Sequence, residues 1–163
     1  MMGEILDIVV EVLKTDEDQG TQALESLIEL TQSFGEIWNA SSEKLLYVCS
    51  QVMSNNDFED KPRESALEII TTIAEENPKT LKDQLASLKT HVFPAICLML
   101  TKVKHEDDLD QWFDEPEEEI LNASDISSQA AEAVERLAGR LGEKTTIACC
   151  TTIINEAVKK PEW

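Results

Sequence analysis

Between His105 and Glu119 the sequence reads HEDDLDQWFDEPEEE, and nine of the fourteen residues from Glu106 to Glu119 are carboxylates with no Lys or Arg among them. Like charge at this density repels itself and resists burial, so the stretch is expected as a solvated, mobile loop. Its chemistry is electrostatic. A polyanion attracts basic groups at long range and loses them to salt, each exposed pair adding roughly 0–1 kcal/mol. Trp112 and Phe113 supply what a purely solvating run lacks. An aromatic ring in an anionic field can anchor a partner, and Trp112 stacked on a Lys or Arg would add about 0.5–2 kcal/mol. The plainer reading of the same residues is a solvated linker with both rings folded back.

Other chemistry at this stretch fails on residue type. A calcium loop starting at Asp108 would draw ligands from Asp108, Asp110, Asp114 and Glu119, but Phe113 stands where such a loop needs Gly for its sharp turn. His105 has only His91 as a fellow histidine and no nearby Cys, so neither a metal site nor an acid–base site is expected. Cys49, Cys97, Cys149 and Cys150 lie in apolar segments without CxxC spacing and read as buried thiols of a reducing compartment, with one of the adjacent Cys149 and Cys150 in the core and the other semi-exposed. No Gly-rich phosphate loop, nucleophile elbow or Cys/His pair is present, so no enzyme activity and no cofactor are expected. Asn122-Ala123-Ser124 matches a glycosylation sequon, but MMGEILDIVVEVL has neither a charged leader nor a cleavage site.

The elements that hold this stretch are helical. Aromatics are 5% of the 163 residues and the apolar positions are mostly Leu, Ile, Val and Ala at helical spacing. The net charge of −19 disfavours nucleic acid and anionic membrane surfaces and favours basic proteins or peptides. No run approaches 18 consecutive apolar residues, so membrane insertion is not expected.

In chain order, Ile5, Ile8, Val9, Val12 and Leu13 are expected on one buried face of a first helix. Ala23, Leu24, Leu27, Leu30, Thr31 and Phe34 follow in phase, with Gly35 as a stop, and Leu45 to Met53 form a third helix. Trp38 is expected to plug the junction between them. The pattern then recurs: Ala66, Leu67, Ile70, Ile73 and Ala74 end at Asn77-Pro78, 43 residues after the Phe34-Gly35 terminator. A third copy, Ala130, Val134, Leu137, Ala138 and Leu141-Gly142, is displaced by the acidic run. Pro94 predicts a kinked or split second helix with a fresh start near Phe93.

A period near 43 with two helices per unit predicts an all-α fold, a right-handed α-solenoid of HEAT repeats carrying an acidic loop insertion. The expected units are residues 1–15 as the second helix of a truncated repeat, then 18–55 and 60–104, the insertion at 105–123, a further repeat at 124–159, and the start of another at 160–163. On this reading the chain is a stretch of a longer array, exposing apolar surface at its ends.

ALESLIELTQSFG, ESALEIITTIAEENP, the Trp-bearing insertion DDLDQWFDEPEEE, SQAAEAVERLAGRLGEK and KKPEW together resemble the importin-beta (karyopherin-beta) nuclear transport receptors, within them the importin beta-3 subgroup. The resemblance implies a carrier that binds basic cargo or import-signal peptides, Ran-GTP and FG-repeat nucleoporins, and shuttles between cytoplasm and nucleus through the pore. By position it implies Asp107, Asp108, Asp110, Trp112, Asp114, Glu115, Glu117, Glu118 and Glu119 as the Ran or cargo contacts. Two other readings of the residues stay open here: a HEAT scaffold of a multiprotein complex, or an acidic chaperone of basic proteins.

Overall fold

A computed structural model describes residues 2–101 and 126–159, and every regular element among them is helical. The elements are α1 (Met2–Thr15), α2 (Glu17–Ser33), a 3-10 turn (Gly35–Trp38), α3 (Ser42–Ser54), α4 (Asp60–Glu76), α5 (Pro78–Lys82), α6 (Leu85–Ser87), a π-helical turn (Leu88–Val92), α7 (Phe93–Leu100), α8 (Ile126–Leu141) and α9 (Glu143–Ala157).

Two rows of helices stack. One row runs α2, α4, α8, with α4 packed against both neighbours; the other runs α1, α3, the π turn with α7, and α9. Leucine, isoleucine and small side chains fill the space between the rows, including Leu24, Leu45, Leu46, Met53, Ile70, Val92, Phe93, Met99 and Leu137. Burying each large aliphatic or aromatic side chain contributes about 1.5–3 kcal/mol, so the stack is held chiefly by the faces that neighbouring helices share.

Local chemistry sets the helix ends. The carboxylate of Asp16 accepts the Gln19 amide at 3.0 Å and caps α2. At Gly20 a Cβ would lie 2.6 Å from the Leu13 backbone, so only glycine lets α2 cross the end of α1 this closely. The α4 helix stops at Glu76 because Asn77 precedes Pro78, which then opens α5 in its favoured first-turn place. Pro94 lacks the amide that an α-helix would direct at the Thr90 carbonyl, and the chain answers with a π turn in which the Phe93 amide reaches back to Leu88. The expected fresh start at Phe93 is therefore a change of hydrogen-bond register within one continuous course.

The Trp38 side chain is fully buried at the turn between α2 and α3. Its indole N–H donates to Thr31 Oγ1 at 2.9 Å, and that hydroxyl donates to the Leu27 carbonyl at 2.6 Å. The indole thus fills the junction with its polar atom paired.

Three sequence expectations are corrected. The buried stripe of α1 is Leu6, Val9 and Leu13, whereas Ile8 is 62% exposed and Ile5 is also at the surface. The helix carries two adjacent apolar stripes, and periodicity alone does not say which one faces α2 and α3. Phe34 is 63% exposed, because α2 ends at Ser33 and its cap residue swings out of helical phase. Of the thiols, Cys49 and Cys149 are buried as expected, but Cys97 is half-buried like Cys150.

Candidate functional site

The nine residues implied as partner contacts, Asp107, Asp108, Asp110, Trp112, Asp114, Glu115, Glu117, Glu118 and Glu119, lie outside the described residues, as do His105 and Phe113. What the structure places is their setting: α7 ends at Leu100, α8 begins at Ile126, and the two helices pack against each other.

Charge is distributed unevenly between the rows. The α2 helix bears Glu17, Asp18, Glu25 and Glu29 with no basic residue, and α4 bears Asp60, Glu64, Glu68, Glu75 and Glu76 against Lys61 and Arg63. The stretch from α5 to α7 carries Lys79, Lys82 and Lys89 against Asp83 alone, Lys79 and Lys82 on the short α5 that packs against α4 and α8, and Lys89 in the π turn of the other row. Carboxylates thus crowd the α2–α4 side, and the stretch from α5 to α7 just before the insertion is locally basic. A cationic partner would be attracted to the first and repelled by the second.

Polar bridges tie successive units together. Asn39 Oδ1 accepts from Asn77 Nδ2 at 3.0 Å and from Thr80 Oγ1 at 2.7 Å, and Gln84 donates to Ser42 at 3.2 Å. Glu17 accepts the Glu59 amide at 2.7 Å, so a side chain of one unit caps the first helix of the next. Lys44 pairs with Asp7 at 2.6 Å, and Tyr47 meets His91 edge-on with ring centroids 5.4 Å apart. The partners are 37 to 44 residues apart, close to the repeat period. Buried Arg63 donates Nε to the Met53 carbonyl at 2.9 Å, closing the end of α3 onto α4.

Beyond the insertion the bridge is ionic. Arg136 on α8 donates to both carboxylate oxygens of Glu68, at 2.6 and 2.9 Å, and to both of Glu75, each at 3.0 Å. Those hydrogen bonds hold the Glu75 carboxyl below the usual carboxylate range, against the opposing effect of burial, and raise the Arg136 guanidinium above its own. Clefts of about 270 Å³ and about 550 Å³ border the guanidinium, the first lined by residues that include Glu25, Glu64 and Glu132, the second by Glu135 and Arg140 among others. This cluster escaped the sequence reading. The signal that could have found it is Glu68 and Glu75, one heptad apart on α4, facing a helix with a central arginine.

The thiols have an inert setting. Burial pushes Cys49 up to about 12, and Cys97, Cys149 and Cys150 are also raised, first by burial. Among the described residues no group of three or more His, Cys, Asp or Glu side chains is placed to hold a metal ion. No described helix is long and apolar enough to cross a membrane.

Antiparallel helix pairs stacked through period-spaced bridges define an α-solenoid of HEAT type. The model of the importin repeat matches residues 55–148, and the chain belongs to that family. Importin subunit beta-3 of Saccharomyces cerevisiae is 24% identical over 151 residues, which cover 90% of this chain and 13% of that protein. The chain therefore spans about an eighth of the length of this curated relative. Crystal structures of the karyopherin Kap121p share the fold: the complex with RanGTP superposes with a TM-score of 0.84 at 24% identity, covering 97% of this chain and 16% of that one. The complex with Nup53p gives 0.82 at 25% identity, covering 97% of this chain and 15% of that one.

Proposed function

We propose that the chain acts as a nuclear import receptor segment that binds basic cargo proteins or import-signal peptides and Ran-GTP, engages FG-repeat nucleoporins, and shuttles between cytoplasm and nucleus. The observation that carries this reading is the importin-repeat match, which runs from residue 55 to 148 straight across the insertion. The solved relatives include Kap121p bound to RanGTP, to Nup53p and to Pho4p, which supports the same classes of partner here. The relatives are transport receptors, which fits a binding role without catalysis.

Charge supports the insertion as the contact. The α5–α7 stretch that precedes it in the chain is locally basic around Lys79, Lys82 and Lys89, so a cationic peptide gains little there, whereas nine carboxylates between Glu106 and Glu119 offer it many weak pairs at once. The residues assigned are Asp107, Asp108, Asp110, Asp114, Glu115, Glu117, Glu118 and Glu119 as the field and Trp112 as the anchor. We also assign the units at 18–55, 60–104 and 124–159, which brings each first helix into the α2–α4–α8 row.

The test is a titration of the chain, and of a variant lacking residues 106–119, with Ran loaded with GTP or with GDP. Preferential binding of the GTP form that weakens on deletion is the expected result. Equal binding of both nucleotide forms, or none, overturns the Ran assignment.

A further inference from the structure

From Asn77 to Thr101 the chain carries Lys79, Lys82 and Lys89 against a single carboxylate, Asp83. In a chain with 33 acidic and 14 basic residues, that is a local reversal of sign. All three lysines are exposed, and among the described residues none enters an ion pair, whereas Lys14, Lys44, Lys61, Arg63 and Arg136 each meet a carboxylate. Leu85, at 37% exposed, and Ala86 stand at the surface between Lys82 and Lys89. Leu85, Ala86 and Lys89 follow helical spacing on α6 and the π turn, and Lys82 ends α5 just before them. The result is an exposed ledge with an unpaired lysine at each end, at the start of the course that runs on into α7.

The insertion leaves the other end of the same course, after Leu100. Lys89 and Leu100 are about 16 Å apart along the axis at about 1.5 Å per residue, roughly two Debye lengths at physiological ionic strength. The lysines and the carboxylates of the insertion therefore act as two separate poles and do not cancel. We infer that the ledge from Lys82 to Lys89 is a docking face for the acidic flank of a cargo peptide whose basic cluster is held by the insertion. The inference rests on the insertion as the contact for basic cargo and adds what selects among such peptides. An extended chain advances about 3.3 Å per residue, so about five residues between the basic and acidic clusters span the two poles. A ligand that is basic throughout is repelled at the ledge, whereas one whose charge changes sign along its length is favoured at both ends, and Leu85 offers the flank an apolar contact.

Titration of the whole chain with labelled peptides tests the ledge. A lysine-rich import-signal peptide is extended beyond a short glycine–serine spacer by a glutamate cluster, placed before or after the basic cluster, and compared with counterparts carrying serine instead. At low salt one glutamate version should bind the native chain at least about three-fold more tightly than its serine counterpart, and the double variant Lys82→Glu with Lys89→Glu should turn that gain into a loss. Both lysines are exposed, so the double variant keeps the core intact. An oligoglutamate peptide alone reads the ledge without the insertion: it should bind the native chain weakly, bind a chain lacking residues 106–119 at least as well, and not bind the double variant. Oligoglutamate that does not bind, a glutamate flank that gains nothing on the native chain, or a gain that survives the charge reversal overturns the proposal. Basic-peptide binding unchanged by loss of residues 106–119 overturns the insertion as the cargo contact instead, and the oligoglutamate titration then decides the ledge by itself.

Discussion

The α2–α3 pair and the α8–α9 pair are the same structural unit built in two ways. In the first, a fully buried tryptophan closes the junction, and neutral hydrogen bonds at repeat spacing, together with the exposed Lys61–Glu25 ion pair at 3.2 Å, carry the connection to the next unit. In the second, a single glycine makes the turn and one arginine spans to two glutamates on α4. Neutral bridges and apolar plugs are indifferent to salt, whereas partly exposed ion pairs are screened by it. The stack is therefore uniform in geometry and uneven in what holds it, with one exposed ion pair across α2–α4 and an arginine holding two carboxylates across α4–α8.

The comparison is broken most severely at Trp38. Trp38→Ala leaves a cavity at the α2–α3 junction and takes the indole donor from the Thr31 hydroxyl, which keeps its bond to the Leu27 carbonyl, and chemical denaturation should show a loss of about 3–5 kcal/mol, shared by every helix before the insertion. Arg136→Met comes next. It leaves Glu68 and Glu75 facing each other, at a cost of about 1–3 kcal/mol with the lower end set by their partial exposure, confined to α8 and α9. Asn39→Ala removes the acceptor for Asn77 and Thr80 at the surface and should cost about 0.5–1.5 kcal/mol at any salt concentration. The smallest effect has the opposite sign: Gly139→Ala should stabilise α8 by about 0.5–1 kcal/mol.

Acid sharpens the same contrast. The folded-state pKa of Glu75 is depressed by the hydrogen bond from Arg136, so its contribution is complete above the ordinary carboxylate range and is lost as pH falls through the lowered folded value. A pH series of α8–α9 stability should lose this component on acidification, and Arg136→Met should lack it from the outset. The Asn39 bridges hold no titrating group and should show no matching change.

How much of this was legible in the sequence follows from the kind of signal. Helix phase was readable because Leu24, Leu27 and Thr31 recur as Leu67, Ile70 and Ala74 one period later, and all are buried. Proline and glycine positions marked the ends at Asn77-Pro78 and at Gly142. Which of two apolar stripes faces inward was not legible at α1, since that depends on neighbours and not on period. The Arg136 cluster was hidden for a similar reason. Glu68, Glu75 and Arg136 are 61 and 68 residues apart, a spacing set by the insertion as well as the repeat. The candidate site itself was legible as composition, nine carboxylates around Trp112, but composition fixes charge and leaves geometry open.

The most direct measurement of the functional account is fluorescence anisotropy of a labelled lysine-rich import-signal peptide titrated with the native chain, with Trp112→Ala, and with a variant lacking residues 106–119, each at low and high salt. The account predicts binding to the native chain that weakens steeply with salt, a partial loss in Trp112→Ala, and near-complete loss on deletion. Peptide binding of equal strength with and without the insertion would contradict it and move the contact to the acidic α2–α4 side.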